Sequence, residues 1–334
     1  MKPEGNGVTA ADVARQAGVS KWTVIRAFKP DARIAQETKE RVLSVARSLN
    51  YQPNLLARSL ATNRTEQVAI LVDDFENPYK LPTLRQLTAR LQQEGLMGFL
   101  ININKDFSRE AALLNAQQRR VDSIVFFGAA YDPATISDQI LNASDQPIYV
   151  LARESVSSPL PSVYTDPVHA VGALSAHIYA RGYRNPVYVA GPERSQTAVG
   201  RRQQYRKFWS AHGISTLPEI NAGAYDPQAS KQAIRSYLAT TPTDQRCDVM
   251  LCENDILAIG AIDTLRYELG LRVPEDIAVA GFDDISLAGM DAFSLTTYRQ
   301  PYEEMVDRLV EMLVGRTPPD TTALQGEIVI RTST

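Results

Sequence analysis

Basic side chains crowd one end of this chain. Residues 1–65 hold 11 Lys and Arg against 5 Asp and Glu, a net of +6, which leaves −9 on the remainder of a chain whose formal total is −3. Guanidinium and ammonium groups gathered in one short segment suit contacts with phosphate oxygens and point to a polyanionic partner. Other chemistry is thinly represented. His169, His177 and His212 lie on helical stretches without metal-ligand spacing. Cys247 and Cys252 stand in a C-x4-C arrangement that is no recognised zinc pattern, and "DVMLC" reads as a buried strand, so two reduced structural thiols are expected. The chain lacks a G-x-S-x-G elbow, an H-E-x-x-H helix, a phosphate-binding loop and a G-x-G-x-x-G fingerprint. No enzyme activity, catalytic residue, metal or cofactor is therefore expected.

The basic segment needs elements to present it. In "VTAADVARQAGVSKWTVIRAF", Thr9 can cap a helix with Asp12 three residues on, and Val13, Ala14 and Ala17 give that helix a small apolar face. Gly18 suits a left-handed helix end, Val19 can plug the turn, and Ser20 can cap a second helix from Lys21 to about Phe28, which Lys29-Pro30 ends. Two short helices joined by such a turn form a helix-turn-helix, whose second helix is free to enter the major groove of DNA. A third helix is expected over about Gln36 to Leu49, and "NLLARSLATNRT" has helical composition but is too short to be stable alone.

From Val68 the pattern changes to apolar runs ("QVAILV", "MGFLINI", "SIVFFG", "PIYVLA") alternating with amphipathic stretches, and the alternation resumes after about residue 162. These predict two similar α/β halves with doubly wound parallel sheets and a ligand cleft at their strand ends. At 334 residues the chain has room for a small domain and a two-lobed large one. It holds no apolar run of membrane-spanning length and no apolar signal segment, so no membrane association and a cytoplasmic location are expected.

The segments "VTAADVARQAGVS", "ETKERVLSVARSLNYQPN", "LARSL" and "NRT" resemble the LacI/GalR family of bacterial transcription regulators, and the similarity runs through essentially the whole chain. The resemblance implies a helix-turn-helix headpiece over 1–53, a hinge helix and linker over 54–65, and a periplasmic-binding-protein-like α/β sensor domain over 66–334. Its N-lobe would span about 66–163 and 296–322, and its C-lobe about 164–295 and 323–334. It places Lys21, Trp22 and Arg26 at base-reading positions, with Arg26 suited to a bidentate contact to guanine. Thr9, Ser20, Thr23 and Asn50 become candidates for backbone contacts, while Ile25 stands where the family usually has serine. Ala57, Arg58 and Leu60 fall on the hinge helix, with Leu60 as a wedge between central base pairs.

The same resemblance sets candidate ligand residues at strand ends: Asn77, Tyr79 and Lys80 in "DDFENPYK"; Ser195, Thr197 and Arg201 in "GPERSQTAVGRR"; Tyr225 as an aromatic platform; Asn254 and Asp255 in "CENDILAIGA"; Asp283 in "GFDD". A carboxylate and a guanidinium across an aromatic face suit adjacent hydroxyls of a sugar or sugar derivative. Lys80 and Ala152 depart from the family pattern, and with Arg153, Arg194 and Arg201 nearby a cationic cleft for a sugar acid or phosphate is expected. The implied protein is a repressor that binds a near-palindromic operator in double-stranded DNA as a homodimer under allosteric control by a small effector. A corepressor-type regulator, an activator or a solute-binding transport protein is the alternative.

Overall fold

A computed structural model describes residues 8–28, 32–54, 58–59, 62–104, 106–130, 136, 141, 144–154, 160–192 and 196–334, with the side chains of 196–199 excepted. The chain divides into two compact units, residues 1–65 and 66–334.

In the first unit α1 (Ala10–Ala17) opens on a capping box. The Thr9 hydroxyl accepts the Asp12 N–H, and the Asp12 carboxylate accepts the Thr9 N–H at 3.0 Å. Gly18 closes the helix at φ 64°, a left-handed conformation that glycine adopts without a Cβ penalty. Ser20 caps α2 (Lys21–Ala27) by accepting the Thr23 N–H at 3.1 Å. Helix α3 (Gln36–Ser48) starts at Ala35 with no side-chain cap. Val13, Val24 and Val42 meet in a core of small side chains with Ala14, Ala17, Ala27 and Ala46, and Phe28 packs edge-to-face on Tyr51. Of the expected hinge helix, Arg58 and Ser59 are helical, and the Arg58 N–H donates to the Asn54 carbonyl at 3.0 Å. Ala57 and Leu60 lie outside the described residues.

The second unit has two lobes. In the first, a parallel sheet runs in the order β11-β5-β4-β3-β1-β2, built from β1 (Gln67–Val72), β2 (Met97–Asn102), β3 (Ser123–Phe127), β4 (Ile148–Leu151), β5 (Ser162–Thr165) and β11 (Thr321–Leu324). Alternate residues of β1 face opposite ways. Ile70 and Val72 pack with Leu84, Leu87 and Leu91 of α4 (Lys80–Gln93) and with Val306 and Leu309 of α10 (Tyr302–Leu313). Ala69 and Leu71 pack with Leu113 and Ala116 of α5 (Arg109–Gln118) on the other face. Coverage on both faces explains why the strand reads as an unbroken apolar run.

The second lobe repeats the plan with order β7-β6-β8-β9: β6 (Pro186–Ala190), β7 (Glu219–Asn221), β8 (Val249–Cys252) and β9 (Ala278–Ala280). One face is covered by α8 (Pro227–Thr240) and α9 (Asp255–Asp263), the other by α6 (Pro167–Ala180) and α7 (Gln196–Ala211). Cys247 and Cys252 are both buried and unbridged.

The chain crosses between lobes after β5, after β10 (Thr297–Arg299) and before β12 (Glu327–Val329), which pairs antiparallel with β10. Two expected boundaries shift. Thr296 and Arg299 still bridge to Ala280 and Asp283, so the second crossing falls at Gln300 and not at 296. The third boundary, expected between residues 322 and 323, falls after Leu324, because residues 321–324 form an edge strand beside β5. Among the described residues no helix is long and apolar enough to cross a membrane.

Candidate functional sites

The headpiece buries one side of α2 and offers the other. Val24 and Ala27 are fully enclosed, while Lys21 and Arg26 are exposed and Trp22 keeps 70% of its surface open. An indole this exposed contributes nothing to the core and is available to a partner, and Ile25 beside it is 38% exposed. Arg26 rests against the Arg33 carbonyl, to which its Nη2 donates. Thr9 is less available than expected, because its hydroxyl proton already goes to Asp12 at 2.7 Å. The Ser20 and Thr23 hydroxyls share one hydrogen bond of 2.9 Å, which leaves one proton of the pair to offer. Asn50 ends α3 in a left-handed conformation (φ 51°) and is exposed.

In the second unit, the loops that follow β1, β3, β4, β7, β8 and β9 converge on a polar pocket partly open to solvent. Asn77, Tyr79 and Lys80 line it from the first lobe, and Arg201, Tyr225, Asn254 and Asp283 from the second. Tyr79 stacks on Tyr302 (ring centroids 5.5 Å apart) and meets Phe127 edge-on. The Arg201 guanidinium lies 3.6 Å from the centre of the Phe282 ring and donates to the Glu253 carbonyl at 2.8 Å. Burial works against its charge, but Asp283 and Glu253 outweigh it and raise its pKa further. Asp283, at φ 121°, accepts from Gln300 Nε2 at 2.5 Å and from the Tyr302 hydroxyl at 3.3 Å, both on Oδ1. Burial drives its carboxyl up to about 7, with Arg201 opposing. Asn254 caps α9 through Oδ1, and its Nδ2 is buried without a hydrogen-bond partner. Asn77 Oδ1 is likewise buried and unpartnered.

Several expectations need correction. Asp255 does not line the pocket. It points into the second lobe, where Oδ1 accepts the Thr297 hydroxyl at 2.6 Å and Oδ2 the Ile285 N–H at 2.9 Å. Both oxygens are committed to joining strand-end loops, and burial raises this carboxyl to about 6. Among the described residues the cleft is also less cationic than expected. Lys80 is buried and its ammonium pairs with Asp73 at 2.6 Å, Arg153 is buried away from the lining, and Asp74 and Asp283 face the pocket along with Arg201. Ser195 and Arg194 lie outside the described residues, as does the side chain of Thr197. Sequence reasoning missed Asp74, Gln300 and Glu253. Asp74 stands in the same "DDFENPYK" segment as Asn77, and Glu253 directly precedes Asn254, but Gln300 gains its role only from the crossing that brings it under Asp283.

A basic three-helix unit with an open reading face, in one chain with a two-lobed α/β unit holding a polar pocket, defines a DNA-binding regulator that carries its own ligand-binding domain. A model of the lacI family of bacterial regulatory proteins matches residues 9–54, and one of periplasmic-binding-protein-like domains matches residues 175–334. The chain belongs to the lacI family. It is 30% identical over 311 residues to the HTH-type transcriptional repressor PurR of Pectobacterium carotovorum, covering 92% of this chain and 90% of that one. It is also 30% identical to the HTH-type transcriptional regulator AscG of Escherichia coli, over 97% and 98% of the two chains. Its fold is that of the lac repressor dimer bound to operator and the anti-inducer ONPF (TM-score 0.83, 24% identity, 98% of this chain and 99% of that one). The CelR–cellobiose complex is similar at a TM-score of 0.71 and 23% identity, over 98% and 100% of the chains.

Proposed function

We propose that this regulator is a cytoplasmic, homodimeric repressor of a near-palindromic operator, whose affinity for DNA is changed by a small, neutral, polyhydroxylated ligand bound between the lobes. The observation that carries the ligand class is the pair of buried amide atoms without partners: an acceptor, Asn77 Oδ1, on the first lobe and a donor, Asn254 Nδ2, on the second. A buried polar atom costs about 1–3 kcal/mol while unsatisfied, so a group that both donates and accepts gains by entering. A hydroxyl does both. With Lys80 already neutralised by Asp73, Arg201 and Asp283 remain to hold adjacent hydroxyls, which favours a sugar over its acid or phosphate.

Lys21, Trp22 and Arg26 on the exposed face of α2 would read base edges, and Arg58 would approach the duplex from the hinge segment. Dimerisation through the first lobe is supported by its exposed apolar side chains Leu81, Met97, Leu100 and Leu114. The lac repressor neighbour is likewise a dimer on its operator. Selecting bound sequences from random duplex DNA, then titrating the purified complex with neutral sugars and with their acids and phosphates, tests the reading. A palindromic consensus released or tightened by a neutral sugar is expected. Preference for no duplex over bulk competitor overturns the DNA reading, and tighter binding of an acid or phosphate overturns the ligand class.

A further inference from the structure

Behind the pocket wall lies a carboxylate that touches no ligand space. Glu253 follows β8 and is 1% exposed. Its Oε2 accepts the Gly191 N–H at 2.8 Å, just past the end of β6, and its Oε1 accepts the Tyr225 hydroxyl at 2.5 Å, beyond β7. Its own carbonyl accepts Arg201 Nη1 at 2.8 Å. Strands β7, β6 and β8 are neighbours in the sheet, so one side chain joins the loops of three adjacent strands at the end where the pocket opens. The fit is tight. A Cβ on Gly191 would stand 2.2 Å from a ring carbon of Tyr225, so the ring lies directly against the backbone whose N–H the carboxylate holds.

Burying a carboxylate costs several kcal/mol unless it is well hydrogen-bonded and paired, and a neutral side chain would fill this space at lower cost. The two side-chain contacts suggest what the carboxylate is kept for. Tyr225 and Arg201 both line the pocket, and Glu253 meets the first through its side chain and the second only through its backbone carbonyl. We propose that Glu253 is a positioning residue that sets ligand selectivity by fixing the Tyr225 ring against Gly191. Its reach decides how far the aromatic wall stands from Asp283, and hence the thickness of the ring that the second lobe accepts. This assignment rests on the cleft being the effector site.

The test uses the full-length protein. Crystal structures of ligand-free Glu253→Ala and Glu253→Gln are compared with the unsubstituted chain. Binding of D-glucose, D-galactose and D-ribose is measured by calorimetry, and affinity for the selected operator serves as a control. In Glu253→Ala the Tyr225 ring should leave Gly191. Affinity for whichever sugar binds should fall at least tenfold, and operator affinity without sugar should stay within twofold. Glu253→Gln keeps one carbonyl, enough to accept the Tyr225 hydroxyl but not the Gly191 N–H as well, so it should hold the ring and give an affinity between that of Glu253→Ala and the original. A purely structural role would predict loss of thermal stability in both variants with no rescue of ring position by glutamine. A Tyr225 ring unmoved in Glu253→Ala overturns the proposal. If that variant does not fold, a ring displaced in Glu253→Gln overturns it as well. Should none of the three sugars bind the unsubstituted protein, the effector reading is at fault, while the ring position still judges Glu253.

Discussion

Asp283 carries the sharpest residue-level consequence. Its carboxyl titrates near 7 when folded, against an ordinary 3.8, because burial disfavours the charge more than Arg201 restores it. Between those values the folded chain holds a proton that the unfolded chain has lost, so stability falls as pH rises through this window and is flat above it. Asp283→Asn removes the slope while keeping an acceptor for Gln300. The variant should be more stable than the parent above pH 7 by up to about 4 kcal/mol, with the difference vanishing toward pH 4. Thermal melts at pH 5 and pH 8 read this directly, and equal slopes in the two proteins would refute it. The same substitution should abolish the ligand response and spare operator binding, since on the proposed reading the acceptor lost is the one that would hold ligand hydroxyls. Arg26 makes the matching case in the headpiece. Arg26→Ala should cost roughly 1–3 kcal/mol and relax base preference at one position per half-site. Binding to selected and scrambled duplexes separates that from a uniform loss, which would make Arg26 a phosphate contact.

At the scale of elements, legibility followed the range of the interactions. The helix-turn-helix was readable almost to the residue because each of its signals is local: Asp12 answers Thr9 three residues away, Thr23 answers Ser20, and Gly18 takes the one left-handed turn. Gly18→Ala should therefore destabilise the headpiece by about 1–2 kcal/mol, the cost of a Cβ at φ 64°. Operator affinity should fall in step while ligand affinity is unchanged, and unaltered operator affinity would mean the turn carries no such cost. The buried strands were equally plain, because coverage on both faces leaves continuous apolar runs. Strand β11 was not, since "TTAL" is an edge strand that alternates between exposed and half-buried and so carries no run. In the pocket, Arg201, Asn254 and Asp283 stand in recognisable strand-end motifs. Asp255 shares Asn254's motif, yet Thr297 and Ile285, remote in sequence, claim its oxygens. Glu253 is invisible for the same reason, because Gly191 and Tyr225 give it meaning only once β6, β7 and β8 are side by side.

For the whole molecule, charge is divided between the units: +6 over residues 1–65 and −9 over the rest. Attraction to a duplex thus belongs to the headpiece, and the acidic body opposes any second mode of docking on DNA. A dimer that neutralises 6–10 phosphates should lose about 10³–10⁵ in operator affinity between 50 and 200 mM salt. The ligand works on a different term. On the proposed reading it would bridge two lobes joined by three crossings that are themselves linked: Thr165 Oγ1 donates to Gln300 Oε1 at 2.7 Å, and the Asp166 N–H donates to the Leu324 carbonyl at 2.8 Å. Gln300 also holds Asp283, so a ligand that draws on this carboxylate acts on the same side chain that ties the first crossing to the second. The resulting coupling should be of the order of 1–3 kcal/mol and reciprocal, so that operator DNA shifts ligand affinity by the same factor that ligand shifts operator affinity. If the coupling arises in movement of the two lobes, that factor should hold nearly constant as salt is varied, even while operator affinity itself falls steeply. Titrating ligand into free and operator-bound protein at 50 and 200 mM salt measures both. A coupling that collapses together with the DNA affinity would place its origin in the headpiece contacts and not in the movement of the lobes.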